Sequence, residues 1–415
     1  MGADTHTKEG LMDFSLTEEH QMAARLARDF AVKEVAPIIR EADRQGQMPD
    51  FILPRMGELG LLGVCFPVRY GGQGLDYLSL GLISEELEAV DSTLRVVLSV
   101  HVGLNSMALL QWGTAAQKEQ YLVPQARGKK IACFGLTEPE VGSDVARMRS
   151  TARKNGSDYL LNGEKMWISL ATKADHALVV ARTNPAAPDP HEGLSAFLVE
   201  LDWPGVSRGD LHGKLGVRAG STGWLSFQDV RVPAENMLGE AGEGFKIAMS
   251  CLDNGRYTVA AGATGLIRAC RDASTAYAMD RQAFGREIGR FQLVQQKIAF
   301  MVQFYDAARL LYLRAGWMKN QGLRNTRETS LAKWYAADAA FQAAAEAVQI
   351  HGAYGYSDEY DVERYLRNAK GEMIYEGTSE IHQLMQAGFA LGLRQDTPLR
   401  KELPRYDPDF WLETA

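Results

Sequence analysis

"CFGLTEPEVGSD", residues 133–144, is where the texture of the chain changes. Behind it, from "SLTEEHQMAARLARDFAVKEVAPIIREADRQ" to about residue 130, Leu, Ala, Phe and Val recur at three- and four-residue steps, the period of amphipathic helices. Ser15 followed by Glu18 reads as a capping box that opens the first of them. The glycine-rich "YGGQGLD" interrupts this pattern and "SLGLISEELEAVDSTLRVVLSVHVGLNSMALLQWG" resumes it. Ahead of residue 133, to about 240, come short β-branched and aromatic runs separated by turn residues: "YLLNGEKMWIS", "HALVVART", "SAFLVEL" and "GWLSFQDVRVP". They are too closely spaced for intervening helices and predict a small antiparallel sandwich or barrel. From "GEGFKIAMSCLDNGRYTVAAG" to about 395 the pattern is helical again. The alanine-dense "SLAKWYAADAAFQAAAEAVQIHG" permits the close helix approach of a four-helix bundle. The chain therefore reads as mainly α with a β domain: helical over 13–130, β over 131–240, a helical bundle over 241–395 and a tail over 396–415.

At 415 residues the chain exceeds one simple core, and a junction of three domains favours a large ligand. With 46% hydrophobic and 23% charged residues it is ordinarily globular. A net charge of -7 and a pI of about 5.7 argue against the basic face of a nucleic-acid binder. Cys65, Cys133, Cys251 and Cys270 lie far apart without a C-x-x-C pair, which predicts buried reduced thiols and a cytoplasmic setting, with neither a zinc site nor a disulfide framework. "MGADTHTKEG" lacks the apolar core of a secretion signal, and His6 stands where myristoylation needs Ser or Thr. No apolar run is read as approaching the ~20 residues of a membrane span. Rossmann, P-loop, H-E-x-x-H and G-x-S-x-G motifs are absent, so those nucleotide, metal and hydrolase readings lapse.

A dispersed set remains. In "MIYEGTSEIHQ" (373–383) Gly377 breaks a helix, Thr378 and Ser379 favour a cap, and Glu376 is left at the junction. "CFGLTEPEVGSD" offers accessible backbone at Gly135 and Gly142 with hydroxyls at Thr137 and Ser143. "MWIS" (166–169) sets an indole beside a hydroxyl, "DRQAFG" (280–285) places an arginine near a turn, and "QIHGAYG" (349–355) ends a helix with two glycines. Donors, an aromatic plane and a cation are what a flavin dinucleotide requires. Taken singly, Glu376 would be a helix-start carboxylate offsetting the dipole, Trp167 a packing residue, Arg281 a surface ion-pair partner, and Thr137 and Ser143 turn hydroxyls.

Together and in this order, these segments resemble the acyl-CoA dehydrogenase family from about 13 to 394. The resemblance implies an N-terminal helical domain, a middle β domain, a C-terminal four-helix bundle, FAD as cofactor and a homotetramer built as a dimer of dimers. It makes Glu376 the base that takes the α-proton of an acyl thioester while flavin N5 takes the β-hydrogen as hydride. The thioester carbonyl is then polarised by a flavin hydroxyl and by the Glu376 N–H. Leu136, Thr137 and Ser143 correspond to the loop on the flavin edge and pyrophosphate, and Trp167 and Ser169 to the pair that covers and bonds the ring. Arg281, Phe284, Gln292, Gln349 and Gly352 correspond to elements reaching the FAD of a neighbouring subunit, with Ala353 in place of the usual second glycine. Thr378 and Glu380 complete the cofactor site. Asp253, Arg256, Ser143, Tyr375 and Gly377 fall to the acyl-CoA. His351 and His382 have no part in the family mechanism and are assigned to solvent or packing. No metal is implied, and electrons would leave to electron-transfer flavoprotein.

The acyl group is addressed by "EELEAVDSTLRVVLSVH" (85–101). On one helix Glu88, Arg95 and Ser99 would line a single face. An arginine at the end of an acyl pocket points to a distal carboxylate held bidentately. Similar E…VDS…R…S spacing, and "SDEY" at 357–360, occur in glutaryl-CoA dehydrogenases, while benzylsuccinyl-CoA and carrier-protein relatives also carry arginine nearby. The expectation is a dicarboxylyl-CoA. The alternatives are an Arg95 that pairs with Glu88 and never meets substrate, a short- or branched-chain acyl-CoA or acyl-carrier-protein dehydrogenase, a same-fold flavin oxidase, and a helical partner protein without chemistry.

Overall fold

A computed structural model describes residues 15–414. The expectations placed on His6 and on a helical start at 13 lie outside the described residues. Helix α1 (Glu18–Phe30) is capped by Thr17, whose hydroxyl accepts from the His20 N–H at 3.2 Å while His20 Nδ1 accepts from the Thr17 N–H. The box is thus Thr17 and His20, two residues on from Ser15 and Glu18. Starting there puts Glu18 and Glu19 in the first turn, against the positive end of the helix.

After a π-helical stretch come α2 (Ala36–Gln45), α3 (Ile52–Glu58), α4 (Tyr77–Glu88) and α5 (Ser92–Val97). α5 continues through π-helical Leu98–Ser106 into α6 (Met107–Trp112), followed by α7 (Ala115–Gln117) and α8 (Val123–Ala126). α4 and α5 are separate helices. The chain opens at Ala89–Asp91, and the Asp91 carboxylate accepts from the Thr93 N–H at 2.8 Å to start α5. Ser92–Trp112, contrary to the sequence reading, is long and apolar enough by length and composition to cross a membrane. Its apolar window is wholly buried in the protein, as befits a core helix.

Strands β1 (Ala132–Gly135), β2 (Thr151–Asn155), β3 (Asp158–Ser169), β4 (His176–Arg182), β5 (Leu194–Glu200), β6 (Val206–Asp210), β7 (Thr222–Val232) and β8 (Met237–Leu238) form one sheet ordered β6-β7-β3-β2-β4-β5-β8, with β1 also on β4. The path ends at β6 and β8 and does not close as a barrel, and the pairing is mixed. β1 lies parallel to the first half of β4, and Thr151 of β2 pairs in parallel with Arg182 at its other end. β1 arrives straight from the helices, tied to them by the Ala132 N–H donating to His101 Nδ1 at 3.1 Å. Its direction is set by that entry rather than by a hairpin.

The last helices are α9 (Gly244–Asp280), then a small hairpin, β9 (Gln282–Ala283) with β10 (Arg286–Glu287), α10 (Gln292–Asn320), α11 (Thr326–His351), α12 (Val362–Glu372) and α13 (Ser379–Ala390). Buried Ala336, Ala340, Ala343, Ala344 and Ala347 let α11 close on its neighbours. Residues 396–414 are docked rather than trailing. In α14 (Pro408–Leu412) Trp411 is buried and its indole N–H donates to the Cys65 carbonyl, while the Tyr77 hydroxyl donates to the Pro404 carbonyl at 2.8 Å. All four cysteines are buried free thiols, as expected.

One apolar core unites the N-terminal helices with the sheet, and a second fills the C-terminal bundle. Buried Glu88, Arg95, Arg256, Lys333 and Glu372 form a polar seam beside them. The candidate site lies along that seam.

Candidate active site

Glu376 occupies the gap between α12 and α13 in the left-handed region, φ +57°, which costs a non-glycine residue about 1–2 kcal/mol. Gly377 follows at φ +102°, and the Thr378 hydroxyl caps α13 by accepting from the Ile381 N–H at 3.3 Å. The break, its glycine and its cap are those read from the sequence. Two buried cations hold the strained pair: Arg256 Nε donates to the Glu376 carbonyl at 3.0 Å and Lys333 Nζ to the Gly377 carbonyl at 2.7 Å.

Oε2 of Glu376 is sealed from solvent and has no hydrogen-bond partner among the described residues. Burial pushes this carboxyl above its usual range, against the opposing pull of Arg95, the Ser99 hydroxyl, Lys333 and Arg256. A carboxylate kept basic with one oxygen unpartnered, and with cations nearby that stabilise its charged form, is equipped to accept a proton.

Room for it comes from α9. A Cβ built on Gly255 would lie 2.0 Å from Glu376 Oε2, and one on Gly262, two turns on, 1.9 Å from Glu88 Oε2. Gly255→Ala adds about 1 kcal/mol of helix propensity while displacing the carboxyl. The Cβ would also lie 2.8 Å from Leu104 Cδ2, and overpacking costs about 1–3 kcal/mol, so the expected outcome is an unchanged or lowered Tm with kcat lowered about 10²-fold, the cost of misplacing a reacting group by an ångström. Thermal unfolding and steady-state turnover on one preparation check it.

Arg95 is 1% exposed and already engaged. Its Nε and Nη2 donate to Glu88 Oε2 and Oε1 at 2.6 and 3.2 Å, Nη1 reaches Ser99 Oγ at 3.4 Å, and Nη2 also meets the Tyr375 hydroxyl. Glu88, Arg95 and Ser99 do come together, but across the α4–α5 break rather than along one helix face. The bidentate partner that the arginine holds is Glu88 itself. Ser99 Oγ lies 2.5 Å from Thr258 Oγ1 on α9, so this cluster adjoins Glu376 through Ser99. Arg256 is buried and spent on the Glu376 carbonyl and on Asp253 Oδ1 at 3.2 Å, with the Asp253 carboxylate also accepting from Thr326.

The flavin-side residues fall into two groups. Leu136 and Thr137 leave β1 beside β3: the Met166 N–H donates to the Thr137 carbonyl at 2.9 Å and Lys165 Nζ to the Leu136 carbonyl at 3.1 Å. Trp167 is a bulge residue, where pairing with β7 slips between Met166 and Ile168. At φ +62° its indole is turned out and 62% exposed. Ser169 closes β3 opposite Thr222, and Ser143 stands exposed beside Gly142, where an added Cβ would meet nothing within 4 Å. An open aromatic face beside backbone and hydroxyl groups on a rigid sheet fits a planar ring with polar edges, so these residues suit a flavin.

Arg281, Phe284, Gln292, Gln349 and Gly352 are all exposed where α9, α10 and α11 turn. Arg281 lies 5.8 Å from the Tyr354 ring, Phe284 tips the β9–β10 hairpin 95% exposed at φ +52°, and Gly352 sits at φ +60°. Among the described residues no hydrogen bond, ion pair or ring contact joins this group to Trp167 or the 136–143 loop. Glu380 is exposed on the first turn of α13. His382 is buried with Nδ1 against Ser330 Oγ, and His351 stacks on Tyr277, packing roles as expected.

Sequence reasoning missed Gly255, Lys333, Glu372 and the Lys165–Glu138 pair that ties down the 136–150 loop. Lys165 Nζ meets Glu138 Oε1 at 2.8 Å, and Glu138 accepts from the Arg149 and Ser150 N–H groups. A lysine on the same strand face as buried Leu161 was the available signal for that pair.

Comparison with known proteins shows the family. The chain matches the descriptions "Acyl-CoA dehydrogenase, N-terminal domain" over residues 17–129, "middle domain" over 133–230 and "C-terminal domain" over 242–391. It belongs to the acyl-CoA dehydrogenase family, oxidoreductases acting on CH–CH donors. The mitochondrial short-chain specific acyl-CoA dehydrogenase of Mus musculus is 42% identical over 376 residues, covering 91% of each chain. Butyryl-CoA dehydrogenase from Megasphaera elsdenii superimposes with a TM-score of 0.89 at 41% identity, covering 92% of this chain and 100% of that one. A glutaryl-CoA dehydrogenase from Mycobacterium smegmatis in complex with FADH2 gives 0.85 at 34% identity, covering 91% and 95%.

Proposed function

We propose that this acyl-CoA dehydrogenase oxidises a short acyl-CoA that ends in a carboxylate, with Glu376 as the base and FAD as the cofactor. The observation that carries the reading is the position of Arg95, a buried guanidinium linked to Glu376 through the Ser99 hydroxyl. A pocket ending that close to the base admits a short acyl group, and a guanidinium at its end favours one with a terminal charge. The relatives named above, short-chain, butyryl and glutaryl, support the same length.

Glu376 takes the α-proton, its left-handed backbone fixed by Arg256 and Lys333, and the charge developing on the thioester oxygen meets the Glu376 N–H. Bound against Trp167, FAD supplies the hydride acceptor for the β-carbon. Phe284, Arg281 and Gln349 complete that site from a second copy, which makes a homo-oligomer, in this reading a dimer of dimers, the working form. Electrons then pass to an electron-transferring flavoprotein, in a cytoplasmic setting that suits four buried thiols. A plain short-chain acyl-CoA is the second reading, favoured by the closed Glu88–Arg95 pair.

Anaerobic bleaching of the flavin by glutaryl-, benzylsuccinyl-, butyryl- and isovaleryl-CoA tests the assignment. Fastest bleaching by a dicarboxylyl thioester supports it, and bleaching by butyryl-CoA alone overturns it. Peroxide release during aerobic turnover would identify an oxidase instead.

A further inference from the structure

Glu372, the last residue of α12, is a buried carboxyl to which the reaction assigns no part. It is fully enclosed, and neither oxygen has a hydrogen-bond partner among the described residues. Charged and titratable groups face it from every side: Glu88 from α4, Arg95 from α5, Cys270 from α9, Lys333 from α11 and Tyr375 from the loop beyond. Glu88 has already taken two donors of the only guanidinium in the cluster. The other cation, Lys333, gives its Nζ to the Gly377 carbonyl and is pushed by burial down to about 7. Two enclosed carboxylates beside Arg95 therefore cannot both stay ionised without a large penalty, and a proton on one turns their contact into a hydrogen bond.

We propose that Glu372 is a specificity-determining residue: as a neutral acid donating to Glu88, it leaves Glu88 the one carboxylate bound to Arg95, so that the arginine can also hold a substrate's terminal carboxylate. Burial first, and the neighbouring Glu88 second, push its carboxyl well above the usual range, the direction this role needs. Ionisation of Glu372 would surround Arg95 with two anions and repel a third. Recognition of the distal carboxylate is therefore lost as pH rises through the Glu372 ionisation, while a thioester without that carboxylate is spared. The inference rests on the dicarboxylyl reading above and adds the proton on which it depends.

The test uses the FAD-loaded enzyme and Glu372→Gln, whose amide keeps the donor and cannot ionise. The ratio of KM for glutaryl-CoA to KM for butyryl-CoA is expected to climb toward about tenfold per pH unit on the alkaline side in the parent and to stay flat in the variant. Infrared difference spectra of the two proteins should carry a protonated-carboxyl band that only the parent shows. A ratio with the same pH slope in both proteins overturns the role of Glu372 and leaves the dicarboxylyl reading standing. A missing band overturns the proton. Absence of glutaryl-CoA turnover with the band present overturns the substrate reading, and with it the purpose assigned to Glu372.

Discussion

Glu376→Gln is expected to lower kcat by about 10²- to 10⁴-fold, the share that a positioned general base contributes, while acyl-CoA binding survives. Glutamine fills the same space against Gly255 and keeps the backbone N–H, so what is lost is the capacity to accept a proton. The carboxyl has no partner for Oε2 and is held above its ordinary range by burial, so the fold should not weaken. Rapid-mixing measurement of anaerobic flavin reduction isolates the step. The same experiment has a pH signature. The base works only when unprotonated, so the parent's rate falls as pH drops through the raised Glu376 ionisation, above the ~4.3 of a free glutamate. The residual rate of the variant has no such limb. Unimpaired reduction by Glu376→Gln would remove Glu376 from the chemistry altogether.

Arg95→Leu should act on stability and on selectivity, and the two can be separated. Truncating one member of an enclosed ion pair leaves the other uncompensated, a loss of about 3–5 kcal/mol. Here Glu88 would be stranded beside Glu372, so denaturant unfolding should show a loss of that size. The preference for glutaryl-CoA over butyryl-CoA should fall by about 10- to 100-fold, the worth of one charge-assisted contact. Replacing Glu88 as well removes the stranded charge, so Glu88→Leu/Arg95→Leu is expected to regain most of the lost stability without regaining the preference. A single variant that keeps the glutaryl preference would confine Arg95 to packing with Glu88.

The helical stretches were legible because their apolar period records which face is buried, and the gap around Glu376 because Gly377 and Thr378 announce it locally. The α4–α5 break carries a weaker sign, Asp91 ahead of Ser92, inside an otherwise unbroken apolar run. The parallel pairing of β1 on β4 joins residues about forty apart and leaves no periodic trace in either strand. Arg95 was found as a residue, but its occupancy by Glu88 depends on how two helices are set against each other. Lys333, Glu372 and Gly255 were invisible for the same reason. Each matters through a non-local approach, and each alone resembles an ordinary helix residue. Trp167 was located, yet the bulge that turns it outward is a property of its pairing with β7.

The glycines of α9 have a practical consequence for anyone seeking a hardier version of this enzyme. Gly255 and Gly262 are among the first positions that thermostabilisation by glycine-to-alanine exchange would select, since each sits inside a long helix and promises higher melting temperature. Neither promise would be kept, because the added methyl would collide with the Glu376 carboxyl and Leu104 at one position and with the buried Glu88–Arg95 pair at the other. Robustness must instead be sought on exposed helix positions away from the turns that carry Arg281, Phe284, Gln292 and Gln349.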